Sequence, residues 1–345
     1  MATTYLNKTP LSGSTSTGTL SVWIKRSNLG AQMRIFAGFN DASNFTAIHF
    51  TSGDALEVTH QDSGGYIYRY ITDKLFRDVS GWYNIVVQFD LTNVAAGDRV
   101  KIYVNGVLET SFSTETDPSD AAKTMDYNDS SATNLIGQME GGGFFSGLMS
   151  YFIWVDGTAY TASTFGSTDS DTGEWKMNTS PTVTYGTNGF LIMKDGNTIT
   201  DQSGGSNDWT LGAGALTNTE DCPDDVFATM NILDSYWPTT SADSVFTYGN
   251  NQVVSGTGSS SANGYSYNNA TMAVSKGKFY WEVKATSVAG SSFIGIISRG
   301  QLYNQNLNEI LNSNAYAWTI RDSNGTVRNN NTTTTYAASI QRMTL

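Results

Sequence analysis

Three tyrosines, Tyr66, Tyr68 and Tyr70, alternate in the run YIYRYIT, which places them on one face of an extended segment and Arg69 on the other. A flat aromatic ring stacks on the apolar C–H face of a sugar as it packs in any interface. The three therefore form either a ligand-binding platform or the packed inner side of a sheet. Paired carboxylates are the next candidates. Glu115-Thr-Asp117-Pro-Ser-Asp120 gathers three acids in a short segment, and a glycoside hydrolase needs two carboxyl groups as acid and nucleophile. Pro118 removes a ladder donor from the strand such a pair needs, so the segment reads as a solvated acidic loop, and no catalytic residue is expected. His49 and His60 are the only histidines; each lies in a strand pattern and reads as a structural histidine outside any Ser/His/Asp grouping.

Oxygen-rich turns raise the question of a metal. Asp169-Ser-Asp171-Thr-Gly173 alternates oxygen donors as a calcium loop does, without the distal Glu. Asp201 with Asn207-Asp208 makes a second such turn. Asp169, Asp171 and Asp201 are thus candidate Ca²⁺ ligands, turn-forming acids being the alternative; no other cofactor is expected.

Strands must position all of these. Tyr83, Ile85, Val87 and Phe89, then Val100, Ile102 and Val104, alternate with polar residues at the period of a half-buried strand. Asn105-Gly106 is the dipeptide that best tolerates a tight hairpin turn. Leu20, Val22 and Ile24 alternate likewise, with Trp23 on the opposite face. Further short strands follow at MRIFAGFN, FTAIHFTSG, ALEVTHQD and YIYRYIT, with Asp62-Ser63-Gly64-Gly65 as a turn. Ser111 to Thr133 reads as a long polar connection. The spacing predicts an all-β chain with two antiparallel β-sandwich (jelly-roll) domains in tandem: 1–220, a linker at 221–234, and 235–345, the last short of strands to close its sandwich. GFLIMKDG and ITDQSGGSNDWTL are expected to return and complete the first domain.

The segments TLSVWIKRS (Thr19 to Ser27), GWYNIVVQFD (Gly81 to Asp90), RVKIYVNGVLE (Arg99 to Glu109) and FFSGLMSYFIWVDG (Phe144 to Gly157) occur in an informative order. In that order they resemble the concanavalin A-like lectin/glucanase superfamily, in the laminin G-like form of bacteriophage structural proteins. GKFYWEVKA with SSFIGI resembles the opening of a SPRY-type sandwich. The resemblance implies a two-sheet jelly roll and a non-enzymatic virion component, such as a head fibre, decoration or tail-associated protein. It would be made in the host cytoplasm and placed on the virion surface. Its partners would be other virion proteins and copies of itself, as a trimer if it is a fibre, with a host surface glycan as a further partner. A glycan-binding adhesin is the alternative function, and a polysaccharide depolymerase the third.

Composition bounds these readings. The 345 residues are 39% apolar, enough for two cores, yet only 14% charged. A net charge of −12 without a basic run disfavours a nucleic acid partner. The start has neither a basic nor an apolar leader region, and no apolar run reaches the length of a membrane span. The lone Cys222 precludes an internal disulfide, so the folds must rest on their cores.

Overall fold

The computed structural model describes residues 3–119, 124–236, 244–254, 267–286, 293–298, 317–321, 326–329, 332–335 and 343–344. The chain divides into two compact units, Met1–Ile232 with Phe246–Gln252, and Leu233–Val245 with Val253–Leu345.

The first unit is an antiparallel β-sandwich. Its strands begin with β1 (Tyr5–Lys8), β2 (Thr17–Arg26), β3 (Met33–Asp41), β4 (Asn44–Phe50), β5 (Ala55–Asp62), β6 (Gly65–Leu75), β7 (Tyr83–Asp90) and β8 (Val100–Val104). They continue with β9 (Val107–Leu108), β10 (Phe112–Thr116), β11 (Thr133–Ile136), β12 (Gly147–Asp156), β13 (Gly166–Thr168), β14 (Trp175–Met177), β15 (Phe190–Ile192) and β16 (Thr210–Ala213). One sheet has eight strands in the order β10-β6-β5-β4-β3-β11-β1-β16, and the other six in the order β15-β12-β2-β7-β8-β9.

The alternation read from the sequence is the packing of the core. Leu20, Val22 and Ile24 of β2, Ile85, Val87 and Phe89 of β7, and Val100, Ile102 and Val104 of β8 are buried in one cluster with Phe36, Ile48, Phe50 and Val58 of the facing sheet. Each such side chain contributes roughly 1.5–3 kcal/mol by leaving water. The opposite face of the six-stranded sheet is covered as well: Val86, Ile153, Val155 and Leu191 pack with Phe165, and Trp175 of the β13-β14 hairpin lies against them. Asn105 and Gly106 take the expected turn with φ of 48° and 77°.

Ser111 to Thr133 is more than a connection. Phe112–Thr116 adds β10 to the edge of β6, and a 3-10 turn forms at Asp126–Asn128. Strand pairing at this edge comes from a partner remote in sequence, which a polar composition does not reveal. Farther on, Phe190–Ile192 pairs with β12 and Thr210–Ala213 with β1, while Trp209 enters the main core.

In the second unit, Phe293–Ile297, Ala317–Arg321, Thr326–Asn329 and Thr332–Thr335 form a four-stranded antiparallel sheet, and Glu282–Val283 pairs with Met343–Thr344. Parts of the strands expected between Tyr236 and Val254 and between Gly264 and Val274 lie outside the described residues. Among the described residues no helix is long and apolar enough to cross a membrane.

Candidate functional site

Antiparallel pairing sets Thr46 of β4 opposite His60 of β5, and His60 opposite Tyr68 of β6, all on the inner face of the eight-stranded sheet. The 3-10 turn after the polar connection lowers Asp126 onto this row. The Asp126 N–H donates to Thr46 Oγ1 (2.9 Å), and Thr46 Oγ1 donates back to Asp126 Oδ2 (2.8 Å). Asn40 Nδ2 donates to Asp126 Oδ1 at 3.0 Å. His60 Nδ1 lies 2.9 Å from Thr46 Oγ1 and 3.1 Å from Asp126 Oδ2. The threonine hydroxyl has one proton, already committed to the carboxylate, so the ring proton must sit on Nδ1. In the neutral ring Nε2 is then an acceptor, and it has no hydrogen-bond partner among the described residues.

Where the β3-β4 and β5-β6 hairpins end, this arrangement borders an open pocket of about 350 Å³. Asn40, Asn44, His60 and Asp126 line it, with Gln61, Asp62 and Thr124 at its mouth. Asn44 is fixed, its Nδ2 donating to both oxygens of Asp41 and its Oδ1 accepting the Ser63 N–H. Among the described residues every one that lines the pocket is polar; two are carboxylates and none is Lys or Arg.

On the outer face of the same sheet a row of charged groups crosses four strands. Arg34 Nη1 donates to His49 Nδ1 (2.9 Å), which leaves the imidazole proton on Nε2, 3.4 Å from Glu57 Oε2. Arg69 Nε donates to Glu57 Oε1 at 2.8 Å, and its guanidinium lies 4.5 Å from the centre of the Tyr66 ring. Burial, then the Arg34 charge, lowers the His49 pKa, although hydrogen bonding to Glu57 opposes the shift. Burial alone would raise Glu57, but its bonds to His49 and Arg69 prevail and hold the carboxyl down at about 2.

The tyrosines do not share a face. Gln61 pairs with Tyr66 but His60 with Tyr68, so one extra residue, Ile67, bulges from β6. A bulge reverses the facing of what precedes it. Tyr68 and Tyr70 are 0% and 2% exposed in the core, whereas Tyr66 is 46% exposed beside Arg69. The expected platform thus reduces to Tyr66, adjacent through Gln61 to the pocket mouth.

The candidate metal ligands serve turns. Asp169 Oδ1 accepts the N–H groups of Asp171 and Thr172, and its Oδ2 pairs with Lys176 Nζ at 2.8 Å. The lysine, followed by those amides, holds the Asp169 carboxyl well below the usual carboxylate range. Asp171 is exposed. Asp201 Oδ1 accepts the N–H groups of Leu191 (2.9 Å) and Ser203, and its Oδ2 accepts the Asn207 N–H and the Ser203 hydroxyl. Among the described residues no three His, Cys, Asp or Glu side chains converge as a metal site. Glu115 is exposed on edge strand β10, Asp117 accepts the Tyr70 hydroxyl at 2.6 Å, and Asp120 lies outside the described residues.

Sequence reasoning noted His60 only as a strand histidine and missed Asp126, Asn40 and Asn44. No local pattern marks them, because only strand pairing and the returning turn bring them together.

A laminin G-type family profile, described as the Concanavalin A-like lectin/glucanases superfamily, matches residues 2–152. No curated protein sequence matches the chain. Solved structures similar to it include a heptameric SAP-like pentraxin from Limulus polyphemus (16% identity, 56% of this chain and 90% of that one, TM-score 0.35). Domain 4 of the arabinanase AbnA from Geobacillus stearothermophilus, in complex with arabinotriose, is another (18% identity, 44% and 65%, TM-score 0.31). Domains LG4-5 of the mouse laminin α1 chain are a third (10% identity, 55% and 44%, TM-score 0.31). With its two antiparallel sheets and this profile match, the first unit carries a laminin G-like domain of the concanavalin A-like lectin/glucanases superfamily.

Proposed function

We propose that the sandwich of the first unit is a non-catalytic glycan-binding module, with the rim pocket as its recognition site and Tyr66 as a flanking stacking ring. The observation that carries this reading is an open pocket whose described lining is polar throughout and holds an imidazole nitrogen with no partner among the described residues, on a domain of a lectin-type superfamily. Sugars offer hydroxyl arrays with apolar ring faces, which suits fixed polar groups beside an exposed aromatic ring. Hydrolysis fits less well: both oxygens of Asp126 are engaged by Asn40 and Thr46, which leaves it free as neither acid nor nucleophile. A glycan array probed with the full chain, with and without Ca²⁺, tests the reading. Binding in neither condition refutes it, and binding only with Ca²⁺ would assign a metal role to acids such as Asp169, Asp171 and Asp201.

A second reading concerns where such a module works. A charged fraction of 14% leaves a surface of small neutral polar groups, which favours a particle component over a cytosolic enzyme. On this reading the chain is a bacteriophage virion protein, placed on the particle surface as a homo-oligomer among other virion proteins, with a SPRY-like second domain in assembly. Mass spectrometry of purified particles tests it, since absence from the particle rules it out.

A further inference from the structure

Resting on the glycan-binding reading, we infer that the rim pocket selects ligands that present hydrogen-bond donors, namely neutral or amino-substituted sugars, and rejects carboxylated ones, with His60 Nε2 and Asp62 as the selecting groups.

The argument is an inventory of what each lining group has left to offer. Asn40 gives one amide N–H to Asp126, and its carbonyl lies 3.2 Å from the Ser131 hydroxyl. Asn44 spends both ends on Asp41 and Ser63. Asp126 accepts from Asn40 and Thr46. Among the described residues the acceptors left free are His60 Nε2, bare because Nδ1 of the neutral ring carries the proton, and the Asp62 carboxylate, whose Oδ1 takes the neighbouring Ser63 hydroxyl. Gln61 and Thr124 at the mouth can donate or accept, so they do not discriminate.

A sugar hydroxyl or ammonium satisfies both free acceptors. A carboxylate brings further lone pairs to them and meets the charge of Asp62 and Asp126, with no cation among the described lining residues. Arg34 and Arg69, the basic groups of this sheet described above, are on its outer face, engaged with His49 and Glu57.

The test uses calorimetry on the full chain with three probes of matched length: neutral gluco-oligosaccharides, glucosamine oligomers and oligogalacturonates. The first two should bind and the third should not. Asp62 is exposed, so Asp62→Lys preserves the fold; it should weaken glucosamine oligomers about tenfold and admit oligogalacturonate. His60→Phe keeps the ring and removes the acceptor, and should lower affinity for the neutral probe by about tenfold. If that variant unfolds, Asp62→Lys decides alone. Oligogalacturonate bound as tightly as the other probes, or an unchanged preference in Asp62→Lys, overturns this inference and leaves the glycan reading standing. Binding elsewhere on a wide array with none to the neutral or amino probes also overturns it alone. No binding to any glycan overturns both.

Discussion

His60 Nδ1 lies 3.1 Å from Asp126 Oδ2, a contact between a strand of the eight-stranded sheet and a turn that the chain reaches only after crossing to the other sheet and back. The contact sets the imidazole tautomer and, with it, the character of the pocket.

Asp126→Ala should therefore act twice. It leaves Thr46, Asn40 and the His60 ring without their shared acceptor, at a cost of about 1–3 kcal/mol in urea unfolding. It also frees the imidazole to change tautomer, so glycan affinity should fall even where the protein remains folded.

Tyr66→Ala should leave the unfolding midpoint within about 0.5 kcal/mol of the parent, because the ring is half exposed, while weakening glycan binding. Tyr68→Phe is the control: the ring stays in the core and only its buried hydroxyl, beside Thr46, is lost, so stability should change by less than about 1 kcal/mol in the same measurement.

Stability should fall on acidification. Glu57 is held at about 2 against 4.5 in the unfolded chain, so its contribution is complete above pH 4.5 and is lost as pH falls toward 2. The folded state lowers the His49 pKa from 6.5, so it favours the neutral ring; that contribution is complete above pH 6.5 and declines below it. The two act in the same direction. Urea midpoints measured from pH 7 to 2 should drop throughout, and Glu57→Gln should flatten the lower part of the curve, by on the order of 2 kcal/mol.

Lys25 and Asp221 form a buried ion pair at 2.8 Å, with Trp82 Nε1 also donating to the carboxylate at 3.0 Å. Lys25→Met strands a buried charge and should cost about 3–5 kcal/mol. Lys25→Met combined with Asp221→Asn should recover much of that loss, which chemical denaturation of the single and double variants will read.

Gly106→Ala should destabilise the hairpin by about 1–3 kcal/mol, since φ is 77° and a Cβ would lie 2.4 Å from the Trp175 ring. Trp175 Nε1 donates to Asn84 Oδ1, so the displaced indole should also show a changed fluorescence maximum.

Alternation along the chain was enough to determine which faces of β2, β7 and β8 are buried, because burial of one sheet face and the two-residue repeat of a strand are both local properties. The Asn105-Gly106 turn was legible for the same reason: its backbone angles follow from its own two residues. The site was not legible, because it depends on register and closure. The bulge at Ile67 turns Tyr66 away from Tyr68, and a single slipped residue reverses a face without altering the pattern that predicted it. Asp201 looks like a metal ligand in sequence, yet the fold points the N–H groups of Leu191, Ser203 and Asn207 at its oxygens. Asp126 stood in a polar stretch without periodicity, and only the pairing of remote strands brings it within reach of His60, since hydrogen-bond partners across a sandwich are set by tertiary packing and leave no local trace.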